Sequence, residues 1–198
     1  MSMGIAVKLG FPEGERERAA GILYEALEKV YQAVFGPPKR AKGAIAKHLR
    51  QDRAITALVD GRVVGVCGVS YGKKRFLDLG LWDVFRDFAF SAFRVMFVGS
   101  VFDERAAPGE MIVESLAVAP EFRGRGIGSL LLEEAVAQAK RRGLVRVRLY
   151  VAAGNEQALS FYHRHKFVVT RFQPLPFPWN RFVGLAGSYE LIRDLTSD

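Results

Sequence analysis

The residues best suited to chemistry form a glycine-rich turn, Arg123-Gly124-Arg125-Gly126-Ile127-Gly128, between a predicted strand and a predicted helix. Three alternating glycines allow the backbone to turn tightly and to expose its amide groups. A helix N-terminus follows, whose free N–H groups and dipole attract anions, and two arginines add positive charge. The turn therefore predicts a phosphate-binding site. The alternative is a tight turn without a ligand, for which one glycine would suffice.

The spacing of this turn narrows the class of phosphate ligand. A P-loop requires Gly-Lys-Ser/Thr, whereas here Gly128 is followed directly by Ser129, so nucleotide hydrolysis is disfavoured. A dinucleotide site requires G-x-G-x-x-G and an acidic residue about twenty positions later. The turn reads G-x-G-x-G instead, and the next predicted strand ends at Tyr150-Val151-Ala152 without an acid.

The elements that must position the turn follow from hydrophobic periodicity and turn residues. Asp60-Gly61 indicates a two-residue hairpin, so the strands on either side of it are expected to be antiparallel. Helices are predicted over 15–34, 40–50, 79–98, 127–142 and 155–165, and strands over 5–9, 53–59, 62–71, 111–118, 145–151, 167–172 and 187–193.

This order of elements predicts the α/β (α+β) class, with a mixed central sheet of about six to seven strands flanked by helices. No boundary interrupts it, so a single domain over 1–198 is expected. An aromatic-rich helix over 79–98 stands between the third and fourth strands as an insert. Because it is apolar on more than one side, it has three interpretations: core packing, the wall of a hydrophobic pocket, or a homodimer contact.

Length and composition exclude several classes of protein. The chain has 198 residues, of which 49% are hydrophobic and 25% are charged, which fits one folded domain and excludes extensive disorder. A single cysteine excludes an intramolecular disulfide and a cysteine-rich zinc site. The start, 1–6, lacks the features of a signal peptide, and the apolar stretch 77–102 contains five charged residues, too many for a spanning helix. The expectation is a soluble cytoplasmic protein with no membrane partner.

The positive charge is concentrated in one segment. The net charge is +8, and residues 123–171 hold ten Lys/Arg against three Asp/Glu, a net charge of +7. Either a nucleic acid or a phosphorylated cofactor would suit such a segment. Lys140-Arg141-Arg142 complement the end of a predicted helix, which accounts for about three of these charges.

Three other features compete as chemical sites. Gly68-Val69-Ser70-Tyr71-Gly72 matches the hydrolase motif G-x-S-x-G, but the predicted hairpin makes this strand antiparallel, whereas the motif requires a parallel strand. Ser70 is therefore interpreted as a polar residue at a strand end. Cys67 lies in an apolar strand, which favours a buried structural thiol. His163 and His165 are two apart on a predicted helix and face different sides, a poor pair for a metal.

Two motifs resemble those of the GCN5-related N-acetyltransferases. The segment 116–128 resembles the family's acyl-CoA-binding motif, Arg/Gln-x-x-Gly-x-Gly/Ala, which Arg123, Gly126 and Gly128 match. The chain departs from the family at Lys166, where a glycine is common. The second motif, Asn…Ala…Phe-Tyr…Phe, is matched by Asn155, Ala158, Phe161, Tyr162 and Phe167, and the resemblance covers roughly residues 5–193.

The resemblance implies acetyl-CoA as co-substrate and no metal. The pyrophosphate would lie on the amides of residues 124–129, and the pantetheine arm would pair like an added strand with the backbone of Leu116 and Val118. In the family the asparagine that opens the next helix also contacts the cofactor arm. The residues assigned to the cofactor are then Leu116, Ala117, Val118, Arg123, Gly124, Arg125, Gly126, Ile127, Gly128, Ser129, Asn155 and Tyr162.

The resemblance also implies two catalytic residues. Glu114, on the strand before the turn, is the candidate base, commonly through water in the family; Glu110 is the weaker alternative. An exposed strand carboxylate is the other interpretation of Glu114. Tyr162 is the candidate acid, which would protonate the departing sulfur or donate a hydrogen bond to it. Its other interpretation is a tyrosine packed on the sheet beside Phe161.

The leading hypothesis is an N-acetyltransferase that moves acetyl from acetyl-CoA to the primary amine of a small, partly apolar acceptor. A non-catalytic acyl-CoA sensor on the same fold would keep the glycine turn without needing Glu114 or Tyr162. A basic nucleic-acid-binding protein is the weaker alternative, because the cofactor already explains the charges around the turn. No nucleic-acid partner is therefore expected.

Overall fold

The computed structural model describes residues 4–78, 105–177, 180–181 and 184–196. Within these ranges seven strands form one sheet in the order β1-β2-β3-β4-β5-β7-β6. Neighbouring strands are antiparallel except β4 and β5, which are parallel, so the predicted mixed sheet is confirmed. The strands are β1 (Ile5–Leu9), β2 (Ala54–Val59), β3 (Arg62–Tyr71), β4 (Glu110–Val118), β5 (Arg146–Ala152), β6 (Val168–Pro174) and β7 (Gly187–Asp194).

Helices cover both faces of this sheet. On one face, apolar residues of the first three helices form a core with Ala54, Val66 and Phe76. On the other face, the last two helices pack on residues such as Val113 and Leu149. Among the described residues, no helix has the length and apolarity needed to cross a bilayer. The helices are α1 (Arg16–Ala26), α2 (Glu28–Phe35), α3 (Pro38–His48), α4 (Ile127–Arg141) and α5 (Glu156–Arg164).

The prediction of a single helix over 15–34 is wrong, because the helix breaks at Leu27. This residue has φ −128° and ψ 34°, and its N–H lies 3.1 Å from Leu23 O and 3.2 Å from Tyr24 O. The break has no proline or glycine at its position, so the sequence carries no local signal for it. The predicted end of this helical region at residue 34 is confirmed to within one residue, since α2 stops at Phe35.

The predicted hairpin is confirmed by backbone geometry. Asp60 and Gly61 have φ values of +50° and +78°, the left-handed pair that a tight two-residue turn requires. As a result β3 is antiparallel to both β2 and β4, which confirms that Ser70 does not sit on a nucleophile elbow. The predicted insert helix over 79–98 lies outside the described residues.

A left-handed lysine links α5 to β6. Lys166 has φ +64°, and its N–H donates to His163 O at 3.0 Å while Phe167 N donates to Tyr162 O at 3.1 Å. This is the position that ends a helix and that glycine normally takes, because a Cβ is disfavoured at positive φ. The departure from the family pattern at Lys166 therefore leaves the turn in place but strains it.

We predict that Lys166→Gly folds more stably than Lys166→Ala by about 0.5–1 kcal/mol. Both variants remove the lysine side chain, but only glycine removes the cost of a Cβ at φ +64°. Urea unfolding of the two variants measures the difference in free energy. Equal stabilities would mean that the left-handed backbone carries no cost at this position.

Candidate functional site

An opening between β4 and β5 dominates the centre of the sheet. The two strands pair only from Glu110 to Val113 on β4, and the last pair joins Val113 to Leu149. Beyond this pair, β4 remains bonded to β3 on one side only. Ala119 N–H donates to Val64 O at 2.9 Å, and backbone groups alternate between the two edges of a strand. The groups of Leu116 and Val118 therefore point into the opening, where a ligand can pair with them.

Glu114 lies where the opening begins and forms a β-bulge. In the β3–β4 register Gly68 faces Ser115 and Val69 faces Val113, so Glu114 is an extra residue. A bulge bends the strand and redirects the side chain of the extra residue. The Glu114 side chain is 14% exposed, so the structure does not support its interpretation as an exposed strand carboxylate.

The Glu114 carboxylate is held through one oxygen. Ser70 Oγ donates a short hydrogen bond to Oε1, and Arg75 Nε lies 3.3 Å from the same atom. Within the described residues, Oε2 accepts no hydrogen bond. Val113, the residue before Glu114, belongs to the α4–α5 core, and successive side chains of a strand point to opposite faces. Tyr31 of α2 packs on the α1–α3 core, and burial and, secondarily, the Glu114 charge raise the pKa of its phenol. Glu114 therefore faces the α1–α3 side of the sheet.

Tyr162 belongs to the opposite face. It packs on the core beneath α4 and α5, with its ring 5.1 Å from the Phe161 ring and 5.8 Å from the Phe167 ring. Burial and, to a smaller degree, the Cys67 thiol raise the pKa of the Tyr162 phenol. Cys67 faces Leu116 in the register, and both Leu116 and Tyr162 pack against the core that contains Cys67, so Tyr162 and the open part of β4 share this face of the sheet. Among the described residues, the hydroxyl makes no hydrogen bond.

The glycine turn has the geometry of an anion site. Gly124 and Gly126 have φ values of +74° and +77°, and open space lies where each would carry a Cβ. Gly126 caps α4, and Leu130 N donates to Gly126 O to close the first turn. The N–H groups of Ile127 and Ser129 precede this bond and have no acceptor within the helix, so they can bind an anion together with the helix dipole.

The two arginines of the turn differ in their contacts. Arg123 Nε donates to Val118 O at 3.0 Å, so this side chain folds back on β4 although it is exposed. Arg125 lies over the Phe122 ring at 5.5 Å. Because Arg123 already uses the Val118 carbonyl, the Val118 N–H and the Leu116 groups are the remaining sites for a paired ligand.

The second motif supports the turn from α5. A Cβ at Gly128 would lie 3.5 Å from the Phe161 ring, an ordinary van der Waals contact, so α5 packs beside the first turn of α4. Asn155 Oδ1 accepts the Ala158 N–H at 3.1 Å, which confirms the asparagine as the N-cap of α5. The assignment of Ala117 to the cofactor is not supported, because its buried side chain faces the α1 side and its backbone groups, two residues from Ala119, point to β3.

Glu110, the weaker candidate base, is engaged elsewhere. Its carboxylate lies 2.8 Å from Arg148 Nη2 and also accepts the Ala107 N–H. Arg148 reaches Glu190 and the Tyr150 hydroxyl as well. Burial alone would raise the pKa of Glu190, but hydrogen bonds from Thr170, Arg148 and Tyr150 and the charge of Arg171 lower it overall. Glu110 therefore lies in the paired part of β4 and β5, before the opening begins.

Sequence reasoning missed the partners of Glu114. Ser70 was visible only as part of a false hydrolase motif, and Arg75 and Tyr31 carried no signal. The β3–β4 pairing could have brought Ser70 towards Glu114, but the bulge that determines their alignment is not written in either strand. Among the described residues, no group of three or more His, Cys, Asp or Glu could hold a metal.

With this geometry in place, comparison with known proteins identifies the family. A model of the acetyltransferase (GNAT) family matches residues 22–167. The match covers more than half of the chain, so the protein belongs to the GNAT acetyltransferase family. It includes the open strand β4, the glycine turn and Tyr162.

Individual relatives match over short segments. The chain is 44% identical over 55 residues to an uncharacterized N-acetyltransferase of Methanocaldococcus jannaschii, which is 28% of this chain and 24% of the relative. It is 37% identical over 70 residues to the mycothiol acetyltransferase of Propionibacterium freudenreichii, or 35% of this chain and 22% of that one. The chain thus spans about a quarter of the length of these curated relatives.

Solved structures show the same fold. An N-acetyltransferase from Staphylococcus aureus superposes with a TM-score of 0.67 at 18% identity, covering 95% of this chain and 100% of that one. A GCN5-related N-acetyltransferase from Kribbella flavida gives 0.62 at 17% identity, covering 96% and 98%. At these identities the comparison establishes the fold and not the acceptor.

The buried thiol beside the site predicts a pH dependence of stability. Cys67 is fully buried, and burial raises the pKa of its thiol from 9.0 to about 12. Above pH 9 the unfolded chain loses this proton while the folded protein keeps it, so the free energy of unfolding falls as pH rises. The fall between pH 9 and 10 reaches up to about 1.4 kcal/mol per pH unit, and Cys67→Ala should flatten it in urea titrations. An unchanged slope in Cys67→Ala would mean that the Cys67 thiol does not cause the pH dependence.

Proposed function

We propose that this protein transfers the acetyl group of acetyl-CoA to the primary amine of a small acceptor by direct attack. The observation that carries the proposal is the opening after Val113, which has an unpaired strand edge, an anion-binding turn at its end and two candidate catalytic groups on opposite faces of the sheet. One strand, β4, and two helices, α4 and α5, bring these elements to the same opening.

The residues present fit the co-substrate. The amides at the start of α4 suit a pyrophosphate, and the open space at Gly124 and Gly126 lets it approach the backbone. The Leu116 backbone and the Val118 N–H suit the amide groups of the pantetheine arm, which would add to β4 like a short strand. This arrangement would carry the thioester from the turn to Glu114.

The reaction needs a base on the acceptor side. The attacking nitrogen must be neutral, and it loses a proton as its bond to the carbonyl carbon forms. Glu114, with Oε1 held by Ser70 and Arg75, would take that proton through its second oxygen, commonly by way of water in this family.

The reaction also needs a proton for the leaving sulfur on the other face. As the C–S bond breaks, the sulfur becomes a thiolate. Tyr162 has a proton to give at neutral pH, since a phenol ordinarily has a pKa near 10 and burial raises the pKa of Tyr162 further. It would donate this proton to the thiolate and recover one from water, which leaves an amide and free coenzyme A.

Charge supports a small acceptor over a polycation. The net charge of +8 would repel a polyamine or a lysine-rich peptide, so a small amine with an apolar body is the proposed class. A nucleic-acid-binding role is less favoured. Part of the basic segment is already engaged, since Arg141 lies 2.6 Å from Glu134 and Arg142 packs on the Tyr71 ring.

We predict that acetyl-CoA raises the melting temperature and that Gly126→Asp removes this shift. A ligand that binds only the folded state stabilises it by mass action, and a carboxylate at this position would repel the phosphates. Gly143→Asp is the matched control, because Gly143 also has positive φ and open space but lies at the other end of α4. Its shift should remain. A full shift in Gly126→Asp would contradict the cofactor site.

We predict that Tyr162→Phe lowers kcat by about 10²-fold, the usual scale for one general acid, and leaves acetyl-CoA affinity within a few-fold. Thiol release with arylalkylamines measures kcat. Tyr189→Phe is the control, since Tyr189 packs against the same core from β7 and should keep its rate. An unaffected Tyr162→Phe would give the residue a structural role, and cofactor binding without turnover of any amine would favour the sensor alternative.

A further inference from the structure

Ser70, which the hydrolase-like motif singled out, is fixed by two hydrogen bonds. It is 3% exposed at the end of β3, and its Oγ accepts the Phe76 N–H at 3.0 Å. The same hydroxyl donates its proton to Glu114 Oε1. A serine hydroxyl has one proton to give, so its rotation is set by these two partners.

The segment after β3 is built to present the Phe76 amide. The chain reverses at Gly72, whose φ is +60°, and a bridge joins Tyr71 to Lys74. The Phe76 ring then packs directly on Gly68, where a Cβ would lie only 2.0 Å from the ring. Phe76 O accepts the Arg50 N–H at 2.9 Å. The amide that orients Ser70 is therefore itself held by packing and by a backbone bond.

We propose that Ser70 is a positioning residue for Glu114. The bulge aims the Glu114 side chain, but three side-chain torsions remain to be fixed. Ser70 and Arg75 fix them through Oε1, which leaves Oε2 to accept the proton of the acceptor amine. The inference rests on the proposed function and adds to it a role for a serine that touches neither acetyl-CoA nor the acceptor.

The geometry also explains why this serine is not a nucleophile. Its proton is given to a carboxylate, and one lone pair of its oxygen is used by the Phe76 amide. In addition, Ser70 is 3% exposed, so a substrate carbonyl has no access to its oxygen. Ser70 therefore acts on the reaction through Glu114.

The test compares Ser70→Ala and Ser70→Cys with the unchanged protein and with Glu114→Gln. Alanine removes the donor, and cysteine nearly keeps the volume while donating only weakly, so one of them remains informative if the other fails to fold. Both Ser70 variants should lower kcat by about 10- to 100-fold. This loss should not exceed the rate enhancement of roughly 10²–10⁴-fold that a general base supplies. KM for acetyl-CoA should stay within about twofold, because the cofactor edge is untouched.

The decisive arm repeats Ser70→Ala in the Glu114→Gln background, where it should cost less than about twofold if Ser70 acts only through Glu114. Ser115→Ala is the control and should keep its kcat. Ser115 is buried next to Glu114 in sequence, but its hydroxyl makes no hydrogen bond within the described residues. An unaffected Ser70→Ala variant, or an equal loss in both backgrounds, would overturn the assignment. Absence of turnover by the unchanged protein would overturn the proposed function instead.

Discussion

The site depends on the parting of two parallel strands. β4 and β5 share a ladder of only four residue pairs, yet β5 continues along β7 as far as Ala152. Each strand is thus anchored on its outer side while the inner sides separate. Backbone groups left without a partner in a protein interior cost free energy. A ligand that forms hydrogen bonds with the open edge at Leu116 and Val118 removes this cost. Arg123 satisfies part of it by bonding the Val118 carbonyl.

The bulge at Glu114 both helps to separate β4 from β5 and places the candidate catalytic base. An extra residue bends β4 and increases its twist where it leaves β5. The same extra residue carries a carboxylate onto the face where the apolar side chains of α1, α2 and α3 form their core. A charge buried there is costly unless donors surround it, and Ser70 and Arg75 are those donors. The bend that opens the sheet therefore also creates the need for the contacts that hold Glu114.

The sequence predicted the features whose causes are local. Asp60-Gly61 forms the hairpin because both residues accept positive φ, and Asn155 caps α5 because its side chain reaches an amide three residues away. The glycine turn was recognisable for the same reason. The break at Leu27 was missed because no proline or glycine marks it, so it depends on packing between helices rather than on a residue type.

The partners of Glu114 depend on causes that no window of sequence contains. Ser70 lies 44 residues before Glu114, and the two meet only through a strand register that shifts by one at the bulge. A regular ladder would have placed a different β4 residue opposite Ser70. The packing of Phe76 is equally non-local. Position 68 requires a glycine because the ring of Phe76, eight residues later, occupies the space of a Cβ. Candidate catalytic residues could thus be named from motifs, while the groups that orient them required the pairing of strands.

The two candidate catalytic groups differ in environment as their proposed tasks require. The half-buried Tyr162 packs against two aromatic rings and makes no hydrogen bond among the described residues, and burial raises the pKa of its phenol above the ordinary value near 10. Glu114, across the sheet, is a carboxylate with donors at one oxygen. Because the sheet stands between them and is open only beyond Val113, a reacting group has to lie in that opening to reach both.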